Sequence, residues 1–349
     1  MKKLFSTLLL FVAASFAPAM AADAEGEGVT YFLPKTAVEA VLRIEKTTFT
    51  PGKLAAYSDI YFKKPASTTA SVTYRIVGID FRTSAVPDSA KQYSVVFDKK
   101  HSLISMDCDK NGVLMAINAK AQAAEKYASF VPSRKPAALN PEDYMSQDIL
   151  KSGNLPTMAR LVAQEIYDIR DSRTSLARGE ADFMPKDGEQ LKIMLDQLST
   201  QERALTQVFQ GTSVVDTTEQ VVTIVPQKDV KKQLAFRFST HYGLVENDDL
   251  SGEPYYAVTE DEGVIAELPA TGEDKKQKDE LFVAVNLPGK IKVAITHDGR
   301  TDASFSTYAA QFGRVEKLSG ALFGKKLTSH IVLNPVTGNV VSLKTEPLE

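Results

Sequence analysis

The chain has 349 residues, with 41 Lys and Arg against 44 Asp and Glu and a formal charge of −3. A slightly acidic chain of this length carries no electrostatic footprint for nucleic acid, and it is long enough for two domains and a sizeable core. Its single cysteine, Cys108, excludes an intramolecular disulfide framework.

Residues 1–21 read as a cleavable secretory signal. Lys2 and Lys3 give the positive start, Leu4 to Phe16 is almost wholly apolar, and Ala19-Met20-Ala21 is the small-x-small pattern of a cleavage site. The apolar run is shorter than the roughly 20 residues of a membrane span. No Cys opens the chain after the cleavage site, so a lipid anchor has no thiol to use. The sequence therefore implies a soluble exported protein, periplasmic or envelope-associated, with no transmembrane span in the mature chain.

The first third reads as strands. From Ala40 to Glu45 apolar and polar residues alternate, and Thr50-Pro51 followed by Leu54, Tyr57 and Tyr61 predicts a short helix near 51–62. In Val72–Phe81 the apolar phase slips by one residue beside Gly78, which predicts a β-bulge. Asp109-Lys110-Asn111-Gly112 is a turn signal that makes 102–118 a hairpin. Three prolines mark 130–142 as a linker.

The period then changes. Leu155, Met158, Val162, Ile166, Ile169 and Leu176 recur every three or four positions, as do Leu191, Met194, Leu195, Leu198, Leu205 and Val208. Two amphipathic helices over 155–178 and 188–210 follow, stopped by Gly179 and Gly211, the second capped by Asp187. Two helices of equal length joined by a short loop are expected to pack antiparallel. After 213 strands return, at Leu234–Ser239, at Ile291–Ile295 behind a Pro288-Gly289 turn, and in a hairpin from Ile331 to Leu343 turning at 334–338. Residues 271–280 have no apolar side chain and read as a surface loop.

The expected fold is α+β: two β-rich lobes of mainly antiparallel strands, 22–142 and 213–349, with a long antiparallel helical hairpin, 143–212, between them.

Several stretches carry a family resemblance. They are Tyr31-Phe-Leu-Pro-Lys35, Glu165-Ile-Tyr-Asp-Ile-Arg-Asp-Ser-Arg173, and Met184-Pro-Lys-Asp-Gly188 running to Phe209-Gln-Gly211. Arg237-Phe-Ser239, Leu250-Ser-Gly-Glu-Pro-Tyr255, Gln311-Phe-Gly313 and Asn334-Pro-Val-Thr-Gly338 complete the set. On these the chain resembles a family of uncharacterised exported proteins of Bacteroides-type bacteria, about 350 residues long and known only as a domain of unknown function. The resemblance implies compartment and length. It implies no catalytic or binding residue.

Asp107-Cys-Asp-Lys-Asn-Gly112 matches the first six positions of an EF-hand calcium loop, which makes Asp107, Asp109 and Asn111 a calcium candidate. Position twelve, where a bidentate Glu belongs, is Asn118, and the flanks read as strands. A hairpin turn explains the same residues through backbone geometry alone, and is the favoured reading.

His101, His241, His297 and His330 are scattered, none at helical metal spacing. Gly320-Ala-Leu-Phe-Gly-Lys325 fails as a phosphate loop, with three residues between the glycines and Lys326 where Ser or Thr is needed. No Gly-x-Ser-x-Gly elbow occurs. Cys108, in an apolar strand pattern without a neighbouring His, reads as a structural thiol.

Asp168, Arg170, Asp171, Arg173 and Arg178 read as a solvated helix face. Arg173 falls on the apolar stripe and is expected to reach a carboxylate on the second helix or to snorkel outward. Tyr31-Phe32 and Tyr255-Tyr256 read as one core and one surface ring each, and the chain has no Trp to serve as a sugar platform.

The sequence thus implies no catalytic residue and no cofactor. It points to a non-catalytic binding, structural or assembly component whose partner is another envelope protein or a glycan. The alternative is an exported hydrolase of glycan or peptide, using carboxylates that sequence does not place in space.

Overall fold

The structure, a computed structural model, describes residues 28–97, 101–123, 126–132, 138–263 and 281–348. The signal segment 1–21, the charged segment 271–280 and residues 133–137 of the proline-rich stretch lie outside the described residues.

The strands in the first half are β1 (Gly28–Thr50), β2 (Ser71–Val96), β3 (Met106–Cys108) and β4 (Leu114–Ile117). After the helices come β5 (Thr212–Ile224), β6 (Lys232–Ser239), β7 (Gly243–Val245) and β8 (Glu253–Gly263). The chain closes with β9 (Phe282–His297), β10 (Arg300–Ser319), β11 (Leu327–Leu333) and β12 (Val340–Pro347). They form three antiparallel sheets, ordered β2-β1-β5, β10-β9-β8-β6-β7 and β12-β11-β4-β3. Two of these sheets join strands from both sides of the helices. β5 completes the sheet of β1 and β2, and β4 pairs with β11.

β1 is the spine. It is far longer than the strand read at 40–45, and its alternation explains how it packs. Val38, Ala40, Leu42 and Ile44 are buried against Phe236, Phe238, Ile291 and Val293 of the second sheet. Glu39, Arg43 and Glu45 point the other way and meet Arg82, Asp80 and Arg75 of β2 at 2.6, 2.9 and 2.5 Å. The phase slip beside Gly78 is a bulge. Arg43 stands opposite Gly78 and Ile44 opposite Ile76, so Val77 has no partner.

Nearer its start, β1 buries Tyr31 and Leu33 in a second core. That core is shared with Leu114 and Ile117 of β4, Val283 of β9, and Ile331 and Leu333 of β11. Past the end of β1 the expected helix over 51–62 is shorter, a turn of 3-10 helix at Ala55–Tyr57 and then α1 (Ser58–Phe62). Leu54, Tyr57 and Tyr61 do share a face, in a third core.

The third core belongs to the helices. After a short α2 (Gln147–Leu150) come α3 (Leu155–Arg178) and α4 (Gly188–Gln210), with the bounds that the apolar period predicts. Asn154 and Asp187 cap them by accepting from the N–H of Thr157 and Gln190, and Gly179 ends α3 in the left-handed conformation. Met158, Val162, Ile166 and Ile169 of α3 pack on Leu205, Val208 and Phe209 of α4 and on Leu54. In the part of α4 nearest the turn, from Gly188 to Arg203, no residue is buried. In sequence the helical hairpin lies between two groups of strands. In space its core continues from the far end of β1.

The Pro288-Gly289 turn is corrected by the structure: β9 runs straight through both residues. Lys290 pairs with Tyr308 and Gly289 with Ala309, but Leu287 pairs with Arg314, so Pro288 sits where the ladder to β10 is interrupted. A proline without an N–H is tolerated in a strand at such a gap. The four residues of β10 left without a ladder partner there, 310–313, cross close over β9. A Cβ on Gly313 would lie 1.7 Å from the carbonyl oxygen of Leu287. Only glycine fits there.

Candidate ligand groove at the break in β1

The register of β1 with β2 jumps between Phe32, opposite Gln92, and Pro34, opposite Pro87. Two prolines that cannot donate to the ladder meet at this break. The extra residues of β2 turn Asp88 inward, where it pairs with Lys35 at 3.0 Å and Lys91 at 4.0 Å.

Motifs far apart in sequence repair the break. The Tyr31 hydroxyl donates to the carbonyl oxygen of Ala284 at 3.2 Å and accepts from its N–H at 2.8 Å. β8 pairs with β9 only as far as Lys290, so a side chain takes the place of a neighbouring strand at Ala284. The Asn286 N–H donates to the carbonyl of Gly338, and its side-chain amide donates to those of Pro34 and Thr337. Gln311 accepts from the N–H of Thr36 and donates to the carbonyls of Thr36 and Pro226. The Thr36 hydroxyl donates to Val336. The Phe32 N–H donates to the carbonyl of Gly112. Four of the stretches singled out in the sequence, at 31–35, 107–112, 311–313 and 334–338, thus come together.

Beside this knot lies a groove of about 1370 Å³. Leu287, Pro288, Met115 and Val336 give it apolar lining, and Glu39, Arg82 and Asp109 give it charge. Two tyrosine rings, Tyr127 and Tyr308, stand on it 44% and 42% exposed. The Arg82 guanidinium lies over the Tyr127 ring at 5.1 Å while its Nε holds Glu39 at 2.6 Å. Partial burial pushes the Glu39 carboxyl upward, but hydrogen bonds from Ser84 and Arg82 and the charge of Arg82 outweigh it and hold the pKa below the ordinary value. Glu39 is therefore a carboxylate at neutral pH. A convergent set of rings and fixed polar groups on a concave surface is what a binding site needs.

The predicted site residues are placed as follows. Asp109 Oδ1 accepts from the N–H of Asn111 at 2.8 Å and of Val113 at 2.9 Å, and Asp107 Oδ2 accepts from Ala121 at 3.0 Å. The hairpin of β3 and β4 turns there, with Gly112 in the left-handed region. Asn118, in the twelfth position, holds the N–H of Ile104 and Ser105 instead. Among the described residues no group of three His, Cys, Asp or Glu is placed to hold a metal. Calcium gives a direct check, because a site held at 100 times its Kd adds about 2.7 kcal/mol. Added calcium is expected to leave the Tm unchanged. A rise that Asp107→Ala abolishes would restore the metal reading.

Cys108 is half-buried, and burial, aided by the charges of Asp107 and Asp109, pushes its thiol up to about 11, which disfavours the thiolate at neutral pH. His297 pairs with Glu253 at 2.8 Å and stacks on Tyr255, and His330 bonds to the carbonyl of Asn118. Arg173 does reach across to the second helix, where Glu202 holds it together with Arg170. Arg170 also stacks on Phe62 and Tyr167.

Sequence reasoning missed the groove itself. Its residues lie up to 300 positions apart, and only the presence of Asp109, Asn334 and Thr337 within singled-out stretches hinted at it.

The described residues form a mostly β protein of three antiparallel sheets, to which α3 and α4 add a helical core. Residues 27–341 match the domain of unknown function DUF4831, and the chain belongs to that family. No curated protein and no solved structure matches it. No described helix is long and apolar enough to cross a membrane.

Proposed function

We propose that the protein is exported and serves the cell envelope as a non-catalytic binding component, with the groove at the break in β1 as its binding site. The ligand class that suits the groove is a polar chain of glycan type. A sugar ring lays its C–H face on an aromatic ring and offers hydroxyls to charged groups. Two half-exposed tyrosines beside a fixed Arg–Glu pair are the observation that carries this reading. The N-terminal segment 1–21 supports export, since its positive start, apolar run and Ala-Met-Ala site form one signal.

The test expresses the full chain, recovers it from the envelope fraction, and screens it on an array of neutral and acidic oligosaccharides. The first residue is expected to be Ala22, and a subset of glycans is expected to bind and be recovered intact. Shortened glycans would establish the hydrolase instead. An intact Met1 or a blank array would sink the reading.

A further inference from the structure

β5 ends the first sheet, with β1 as its one ladder partner among the described residues. Edge strands present unpaired N–H and C=O groups, and proteins blunt them with short length, bulges, proline or lysine. The other edges follow this rule. β3 and β7 have three residues each. β2 carries Pro87, Lys91 and two register shifts, β10 carries three basic residues and two shifts, and β12 carries Lys344 and Pro347.

β5 has neither short length, bulge, proline nor lysine, and its charges are Asp216 and Glu219. Its 13 residues contain no Pro, Lys or Arg, and their register to β1 is unbroken. Val214, Val215 and Val221 are 47%, 42% and 44% exposed along it.

Its sequence, Thr-Ser-Val-Val-Asp-Thr-Thr-Glu-Gln-Val-Val-Thr-Ile, is also nearly symmetric about Thr218. Counting outward, Thr217 matches Glu219, Asp216 matches Gln220, Val215 matches Val221 and Val214 matches Val222. We infer that β5 pairs antiparallel with β5 of a second copy about Thr218, joining two first sheets into one. In that register Val215 faces Val221 of the partner subunit and Val214 faces Val222 of the partner subunit. Asp216 falls opposite a Gln and Glu219 opposite a Thr, so no like charges face each other. The contact is self-complementary and closes after two copies. It is independent of the glycan reading, because it uses a different face.

Sedimentation of the full chain over a wide concentration range tests this. The wild type is expected at twice the monomer mass. Val215→Lys with Val221→Lys sets lysine against lysine and is expected to yield a monomer with the wild-type Tm, since both positions are exposed. Val215→Lys with Val221→Glu sets opposite charges together in this register alone and is expected to restore the dimer. A wild type that stays monomeric would overturn the proposal and leave the edge for a strand of another protein. A dimer that survives the double lysine, or a Lys–Glu variant that stays monomeric, would overturn it too.

Discussion

Val162→Asp is expected to unfold the helical hairpin, while Arg178→Ala is expected to do almost nothing. Val162 is fully buried among Ile166, Leu205 and Phe209 in the core that the helices keep to themselves. The substitution forfeits about 1.5–3 kcal/mol of apolar burial and leaves a carboxylate among apolar side chains. Together these take a large share of the roughly 5–15 kcal/mol that holds a protein folded. The helical core shares no residue with the two β cores, so the loss is expected to be local. Far-UV circular dichroism should show the helical signal melting first, and hydrogen exchange should show α3 and α4 opening while β9 stays protected. Arg178 lies exposed at the end of α3, where a surface substitution costs within about 0.5 kcal/mol. Equal damage at both positions would mean that the hairpin is buried along its whole length.

Tyr31→Phe is the second large effect. It removes one oxygen and leaves the packing in place, yet that oxygen serves both the N–H and the C=O of Ala284. Both groups are buried on the side of β9 that β8 no longer covers, so the loss is expected to cost about 1–3 kcal/mol. It also changes the response to alkali. Burial raises the Tyr31 pKa far above the ordinary value near 10, so the folded chain keeps a proton that the unfolded chain releases. Stability that Tyr31 contributes is full below about pH 10 and is lost as the pH climbs above it. The phenylalanine variant is expected to be less stable at neutral pH and to lose less of its stability between pH 9 and 11. Denaturant melts of both proteins across that range measure the difference. Parallel curves would show that the hydroxyl is not the buried donor and acceptor described.

What the sequence revealed depended on how local the physics was. The period of α3 and α4, their caps and the Gly179 stop are set within a few residues, and the helix bounds agree with the structure. The bulge at Val77 was legible because a phase slip is written in adjacent residues. The two hairpin turns at 109–112 and 334–338 carry their own Asp, Asn and Gly chemistry. Pro288-Gly289 misled because the same pair marks a turn or an interrupted ladder, and only the partner strand decides between them. The pairings of β1 with β5 and of β4 with β11 join residues more than 160 positions apart, and no local pattern encodes them. The groove was hidden for the same reason. Some stretches of the knot beside it were visible as motifs, but Gln311, Asn286 and Tyr31 find their purpose only at the break in β1. Most of them hold the fold together, which leaves Tyr127 and Tyr308 on the rim as the residues free to meet a ligand.

That division is the central claim, and calorimetric titration with the oligosaccharide that binds best on the array tests it most directly. Tyr127→Ala with Tyr308→Ala is expected to weaken binding by more than about tenfold, since exposed aromatic anchors often carry over 1 kcal/mol each. Its Tm should match the wild type. Tyr31→Phe, compared well below its lowered Tm, should bind as the wild type does. An unchanged affinity in the double variant would contradict the account.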